Sequence, residues 1–482
     1  MLFNSLAFGV FLTIVFALYW SMPHRFRWVL LLVASYYFYM NWNVKYVVLI
    51  LFTTAVSFGC ALLVEGRPDS AKKRLLLTGT AVASLGVLFF FKYFNFASTS
   101  LERIFGLLSI PLHPITLDFL LPVGISFYTF QTLSYVIDVY RGDLPAEKNF
   151  FKYALFISFF PQLVAGPIER ADHLLPQLFT EKHFDYDKAS AGMKQMAWGF
   201  FKKMVIADNL AKYADLVFND PGSYRGFSVI LAMVFFSIQI YCDFSGYSDI
   251  AIGTAKLLGI DLMTNFNCPY FATSIREFWS RWHISLSTWF RDYVYIPLGG
   301  NRVSVPRHQL NLMITFLTSG LWHGANWTFV IWGGLHGAMQ VVENLVWGKR
   351  PRGGDAAMPS GVRIVRTILV FILCTIAWVF FRANALSDIP VLFSHACMGA
   401  ASPVAFFTEG LAALSLDAVH FGILAGSLVV LFLYDQAALS GNPWEKVDAL
   451  AAPARYTIYA VLLAVIILFQ APGENAFVYF QF

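Results

Sequence analysis

Apolar residues in this chain come in long runs that contain no Asp, Glu, Lys or Arg: residues 3–20, 46–64, 75–91, 119–137, 226–242, 310–342, 367–381 and 456–470. A backbone that leaves water must satisfy its own polar groups, and a helix of roughly 20 apolar residues does so across a bilayer. The runs therefore predict membrane-crossing helices. Shorter apolar stretches at 28–43, 153–168 and 421–434 predict tilted, re-entrant or snorkelling helices, for a total of about 10 to 12. The first run has no basic residue before it and no small-residue cleavage site after it, so it is expected to be the first membrane helix and not a cleaved leader.

Between residues 275 and 291 the pattern becomes two-faced. Ile275, Phe278, Trp279, Trp282, Leu286, Trp289 and Phe290 recur at steps of three and four, the spacing of one helix face, while Arg276, Ser280, His283, Ser287 and Arg291 recur on another. One amphipathic helix is expected, with His283 sharing a polar surface with two arginines. That pattern suits a helix lying in the membrane interface on Trp anchors, and equally a cavity wall whose arginines attract a phosphate-bearing substrate.

Hydrophobic residues make up 58% of the 482 and charged residues 13%, a balance that excludes a soluble core inside a solvated shell. The fold class is an all-α polytopic membrane protein. Segments 150–170 and 269–309 hold too many charges or helix breakers to face lipid, so they are expected to line an interior cavity. No repeat of fixed period appears, and the one linker-like stretch is 348–361, so a single membrane domain over 1–482 is expected, with a core at about 120–382. Basic residues cluster at Arg25 and Arg27, at Arg67, Lys72, Lys73 and Arg74, and at Lys349, Arg350, Arg352, Arg363 and Arg366. Placing these loops in the cytoplasm puts the N-terminus outside. Cys60, Cys242, Cys268, Cys374 and Cys397 form no CxxC pair and read as small core residues, so neither a disulfide frame nor a metal site is expected. A formal charge of +5 carries no nucleic-acid signature.

The sharpest chemical signal is LWHGAN at 321–326, which sets His323 inside the charge-free run 310–342. A histidine at membrane depth needs a reason, and imidazole is the side chain whose proton affinity lies nearest neutral pH, so His323 is the first candidate for a catalytic base. The plainer alternative is a core histidine bonded to a backbone carbonyl. His336 follows on the same run; thirteen residues along one straight helix turn it by about 220 degrees away from His323. Gly320, Gly324, Gly333 and Gly334 permit close helix packing or a break near His323. YCDFSGYSDI at 241–250 ends an apolar span with Asp243 and Asp249. Intramembrane carboxylates mark ion paths, active sites or structural pairs, here with Arg276, Arg281 or Arg291 as expected partners. A proton-coupled transporter using Asp243, Asp249 and His323 stays open on these residues alone, although the paired repeats typical of transporters are missing.

Three strings together resemble the membrane-bound O-acyltransferase (MBOAT) family, in its bacterial branch of alginate O-acetylation proteins and peptidoglycan O-acetyltransferases. They are YCDFSGYSDIAIG at 241–253, FWSRWHISLSTWFRDYVYIPLGGNR at 278–302 and LWHGANWTFVIWGGLHG at 321–337. PQLVAGPIER at 161–170 and FVYFQF at 477–482 look like the same branch, and the likeness is thin over 383–454. The resemblance implies tilted helices with re-entrant and interfacial elements around a central funnel, the family's invariant histidine at His323 and a second at His283. It also implies transfer of an acyl group from a cytoplasmic thioester, with acetyl-CoA as donor substrate and no permanently bound cofactor, toward an exported polysaccharide. His323 would be the base, or alternatively would form an acyl-histidine intermediate, and His283 would orient the donor or assist proton transfer. Asp243, Tyr247, Asp249, Arg276, Trp279, Trp282, Arg291, Trp322 and Asn326 are the expected lining groups. With no large polar domain in the sequence, the expected partners are the lipid bilayer, a separate periplasmic esterase-like acetyltransferase and polysaccharide export machinery, at a bacterial inner membrane. Another acyl group or acceptor, such as D-alanine on teichoic acid, a lipid or a protein, stays open.

Overall fold

A computed structural model describes the chain apart from Leu112, Leu120, Ala165 and residues 348–357, 472–476 and 479–482. Most of the expected linker, with Lys349, Arg350 and Arg352, and the end of FVYFQF lie outside the described residues. Every regular element among the described residues is helical. This is an all-α polytopic membrane protein. Among the described residues, six helices are long and apolar enough to cross a membrane: Val44–Val64, Ala71–Leu107, Phe227–Leu257, Ser360–Arg382, Ala418–Ala438 and Ala452–Phe469, with Leu6–Ser21 shorter. Other apolar runs fold as shorter or more polar helices, and the run 310–342 is divided between two helices.

The described residues group into two compact units. The first comprises Met1–Met193 and Ala251–Met263. In it α1 (Leu6–Ser21) and α2 (His24–Met40) pair; α3 (Val47–Val64) packs on α4 (Ala71–Leu88) and α6 (Ile125–Arg141), with α5 (Phe94–Leu107) between these last two in sequence. Arg25 and Arg27 lie in the first turn of α2, not in a loop, and Arg67 follows α3. The segment 150–170 folds inward within this unit. It forms α7 (Phe150–Ser158) and α8 (Phe160–Leu163), whose residues 153–164 are buried. The break between them stays satisfied because Gln131 and Gln162 both donate to the Phe156 carbonyl, at 3.1 and 2.6 Å, and the Phe160 N–H donates to Ser35 Oγ at 3.1 Å. Buried polar backbone is tolerated on those terms. The short helix α9 (Ala171–Phe179) follows.

The second unit comprises Lys194–Ile250 and Thr264–Phe482. The chain enters it along α10 (Tyr186–Phe200), which runs into a π-helical stretch, Phe201–Ala207, and then α11 (Asp208–Asn219). The long α12 (Phe227–Leu257) approaches this stretch at backbone distance: a Cβ on Gly199 would lie 2.6 Å from the Gly246 carbonyl oxygen, and one on Gly246 would lie 2.8 Å from that of Gly199. Next come α13 (Ile275–Arg281), α14 (Ile284–Phe290), α15 (Val305–His323), α16 (Trp327–Trp347) and α17 (Ser360–Arg382). Helices α15 and α16 pack backbone to backbone, crossing where Gly320 meets the Phe329 carbonyl and Gly333 meets that of Phe316.

Candidate active site

Segment 275–291 is not one helix. Helix α13 stops at Arg281, α14 starts at Ile284, and His283 between them sits in the left-handed region at φ 42°, ψ 55°. A non-glycine residue there costs of order 1–3 kcal/mol and persists only where its surroundings over-determine it. Here the preceding segment does so: the Ile284 N–H donates to the Asn265 carbonyl and the Asn267 N–H to that of Arg281, each at 2.9 Å. The break turns His283 inward to full burial, while Arg276, Ser280 and Arg291 stay exposed. His283 therefore does not share a polar face with the two arginines. Arg291 pairs with its neighbour Asp292 at 2.7 Å, and Arg281 with Glu277 at 2.7 Å.

Around His283 lie the rings of Phe244 at 4.5 Å and Trp322 at 6.2 Å, and Asn265 Oδ1 stands 3.1 Å from its Nδ1. Asn265 in turn accepts from the Ser285 N–H at 3.3 Å and Ser285 Oγ at 2.9 Å, and its amide donates to Ser248 Oγ at 3.1 Å.

His323 is the last residue of α15 and is 3% exposed, with Trp322 and Trp332 each at 5.0 Å and Phe381 at 5.5 Å. The chain breaks directly after it, where Gly324 is extended and a Cβ would strike the Phe329 ring. The rotation between His323 and His336 expected for one straight helix is thus replaced by a hairpin. Both histidines stand against Trp332, His336 at 5.1 Å. Trp279 Nε1–H donates to His336 Nδ1 at 3.2 Å. Trp282, fully buried, packs between Phe278 and Trp378. His283, His323, Trp279, Trp282 and Trp322 thus belong to one aromatic cluster inside the second unit. Asn326 does something else: its Oδ1 caps α16 by accepting from the Thr328 N–H at 3.1 Å.

The carboxylates find partners other than the expected arginines. Lys203 Nζ lies 2.6 Å from Asp243 Oδ1 and 2.7 Å from Asp208 Oδ1, and Asp243 Oδ2 accepts from the Val478 N–H at 2.7 Å. Lys202 Nζ lies 2.6 Å from Asp249 Oδ2 and 2.8 Å from Ser245 Oγ. A π-helical turn is wider than an α-turn. In that stretch two consecutive lysines both reach α12, drawn close by the Gly199–Gly246 crossing. Asp243 is therefore locked in a buried ion-pair triad, while Asp249 keeps 20% of its side chain exposed. Tyr247, fully buried, stacks near Phe477 at 4.7 Å and Lys203 at 5.3 Å. Lys202, Lys203, Asp208, Asn265 and Trp332 escaped the sequence reading. The two adjacent cations in the apolar stretch 198–207 were the signal for the first two, since carboxylates at depth call for counter-charges. Among the described residues, no group of three or more His, Cys, Asp or Glu side chains could hold a metal ion.

Residues 143–383, which carry all three of these histidines, match MBOAT, the membrane-bound O-acyltransferase family. The whole chain is 38% identical to the probable alginate O-acetylase AlgI of Azotobacter vinelandii, covering 100% of both proteins. The corresponding protein of Pseudomonas aeruginosa is 43% identical over 80% of this chain and 73% of its own length. The peptidoglycan O-acetyltransferase of Helicobacter pylori is 38% identical over 74% of this chain and 71% of its own. A multi-pass membrane enzyme with a buried histidine cluster inside the matched segment, this chain belongs to the membrane-bound O-acyltransferase family.

Proposed function

We propose that this acyltransferase draws acetyl groups from a cytoplasmic thioester, acetyl-CoA, and delivers them across a bacterial inner membrane for O-acetylation of an exported polysaccharide. The reading is supported by the relatives, which are named for alginate and peptidoglycan O-acetylation. The observation that carries it is His323: 3% exposed, ringed by Trp322, Trp332 and Phe381, at the end of a helix fixed by a glycine crossing. A thioester is already activated, so the protein's task is to position a hydroxyl and take its proton. The hydroxyl oxygen attacks the thioester carbonyl, the C–O bond forms as the C–S bond breaks, the hydroxyl proton passes to His323, and the departing thiolate takes that proton back. His283 assists the proton transfer. A separate periplasmic esterase-like acetyltransferase and the export machinery complete delivery to the glycan, and the N-terminus of this chain lies in the periplasm.

The test is base-releasable acetate on envelope polysaccharides of cells carrying wild type or His323→Ala at matched membrane levels. Removing a general base costs about 10²- to 10⁴-fold in rate. The expected outcome is loss of ester acetate in the variant; unchanged acetate overturns the role of His323. Base-releasable D-alanine in place of acetate would instead match the teichoic acid D-alanyltransferase of Bacillus subtilis, 28% identical over 58% of this chain.

A further inference from the structure

The side-chain oxygen of Asn265 has its orientation decided by a group that has no choice. The Ser285 backbone N–H can only donate, and it points at Asn265 at 3.3 Å, so the atom facing it is oxygen and not the amide nitrogen. The opposite end of the same side chain donates to Ser248 Oγ at 3.1 Å, and Ser285 Oγ donates to Oδ1 at 2.9 Å. With Oδ1 fixed as an acceptor, His283 Nδ1 at 3.1 Å must carry a hydrogen. That holds whether the ring is neutral or charged. The single position at which His283 can gain or lose a proton is then Nε2.

His336 shows the contrary arrangement in the same unit. An indole N–H only donates, so Trp279 makes His336 Nδ1 the acceptor and puts the hydrogen of that ring on Nε2. These two buried histidines thus present opposite faces, and of the two it is His283 that has Nε2 set to accept.

We propose that Asn265 is a positioning residue for acyl transfer: by holding the hydrogen on Nδ1 of His283, it makes Nε2 the nitrogen through which His283 takes part in moving the proton of the reacting hydroxyl. The inference rests on the acetyl-transfer reading above. It adds a residue outside the three sequence strings at 241–253, 278–302 and 321–337. It also explains the left-handed backbone at His283, because the 264–268 segment that pins that backbone through Ile284 and Asn267 delivers Asn265 to the ring.

Membrane vesicles carrying the protein with its native partners are supplied with radiolabelled acetyl-CoA, and base-labile acetate is counted for wild type, Asn265→Leu and Asn265→Asp at equal protein level. Leucine has the size of asparagine without the acceptor; aspartate keeps an acceptor toward Ser285 and His283. Loss of such an orienting partner costs about 10- to 100-fold. The expected result is a fall of that size in kcat for Asn265→Leu, with KM for acetyl-CoA little changed, and recovery of most activity in Asn265→Asp. Equal losses in both variants, or a change confined to KM, would overturn the proposal. Solid-state nitrogen NMR of ring-labelled histidine reads the same point without any reaction. It should give a protonated Nδ1 for His283 in wild type and Asn265→Asp, and a changed tautomer in Asn265→Leu; a wild-type ring with its hydrogen on Nε2 and none on Nδ1 sinks the inference outright. A wild type silent toward acetyl-CoA but correct in its tautomer would fault the acetyl-transfer reading and spare the role of Asn265.

Discussion

His173 in the first unit and His283 in the second are each held at Nδ1 by a side-chain oxygen, but one oxygen belongs to a carboxyl and the other to an amide. Glu169, fully buried, accepts from His173 Nδ1 at 2.7 Å and from the Met263 N–H at 2.5 Å. Burial pushes the Glu169 carboxyl up, and the hydrogen bond to Glu169 pushes His173 up in turn. Both shifts keep a proton between the two, and the pair acts as a clamp on the start of α9. Asn265 brings no charge. It fixes where the hydrogen sits on His283 without placing a charge beside the ring. Both oxygens set the same tautomer; the carboxyl adds a shared proton that ties down its own segment, and the amide does not.

The severest way to probe this contrast is to remove a charge from a place where charges hold each other. Lys203→Met leaves Asp243 and Asp208 buried without their shared counter-ion, and stability should drop by about 3–5 kcal/mol in detergent denaturation. Lys202→Met should cost less, because Asp249 is partly exposed. Comparable losses for the two would show that burial does not govern them.

A smaller effect is expected at the first clamp. Glu169→Gln should lower stability by about 1–2 kcal/mol near neutral pH. The pH behaviour is more telling. Both groups take up protons more readily folded than unfolded, so their contribution is present at low pH and is lost as pH rises through their folded values. The wild-type melting temperature should therefore fall on going from mildly acidic to alkaline buffer, and that slope should flatten in the variant. Superimposable profiles would mean that no proton is shared. The mildest change is Trp279→Phe, which removes the donor to His336 Nδ1 and should cost about 1 kcal/mol, read by the same denaturation.

Much of the architecture was legible along the chain, because a bilayer punishes any charge left on a lipid-facing helix and the charge-free runs record that pressure. The glycines near His323 likewise announced a possible break. The break at His283 was not legible. Trp282, Leu286 and Trp289 continue the period of Ile275, Phe278 and Trp279 straight through it, and the left-handed residue that interrupts them is stabilised by hydrogen bonds to 265–267, which no local pattern reveals. The partners of Asp243 and Asp249 were missed for a related reason. Nearby arginines were expected, whereas the pairing lysines sit some forty residues upstream and reach α12 only because a π-helical stretch and two facing glycines bring the backbones together.

The crossing of α15 and α16 at Gly320 and Gly333 has a mechanical meaning. Contact between two backbones has no rotamers to exchange, so the joint cannot loosen by side-chain repacking. The two helices are therefore held as one stiff hairpin, and the spacing of His323, Trp332 and His336 is carried by backbone contact at Gly320 and Gly333 instead of by the packing of exchangeable side chains.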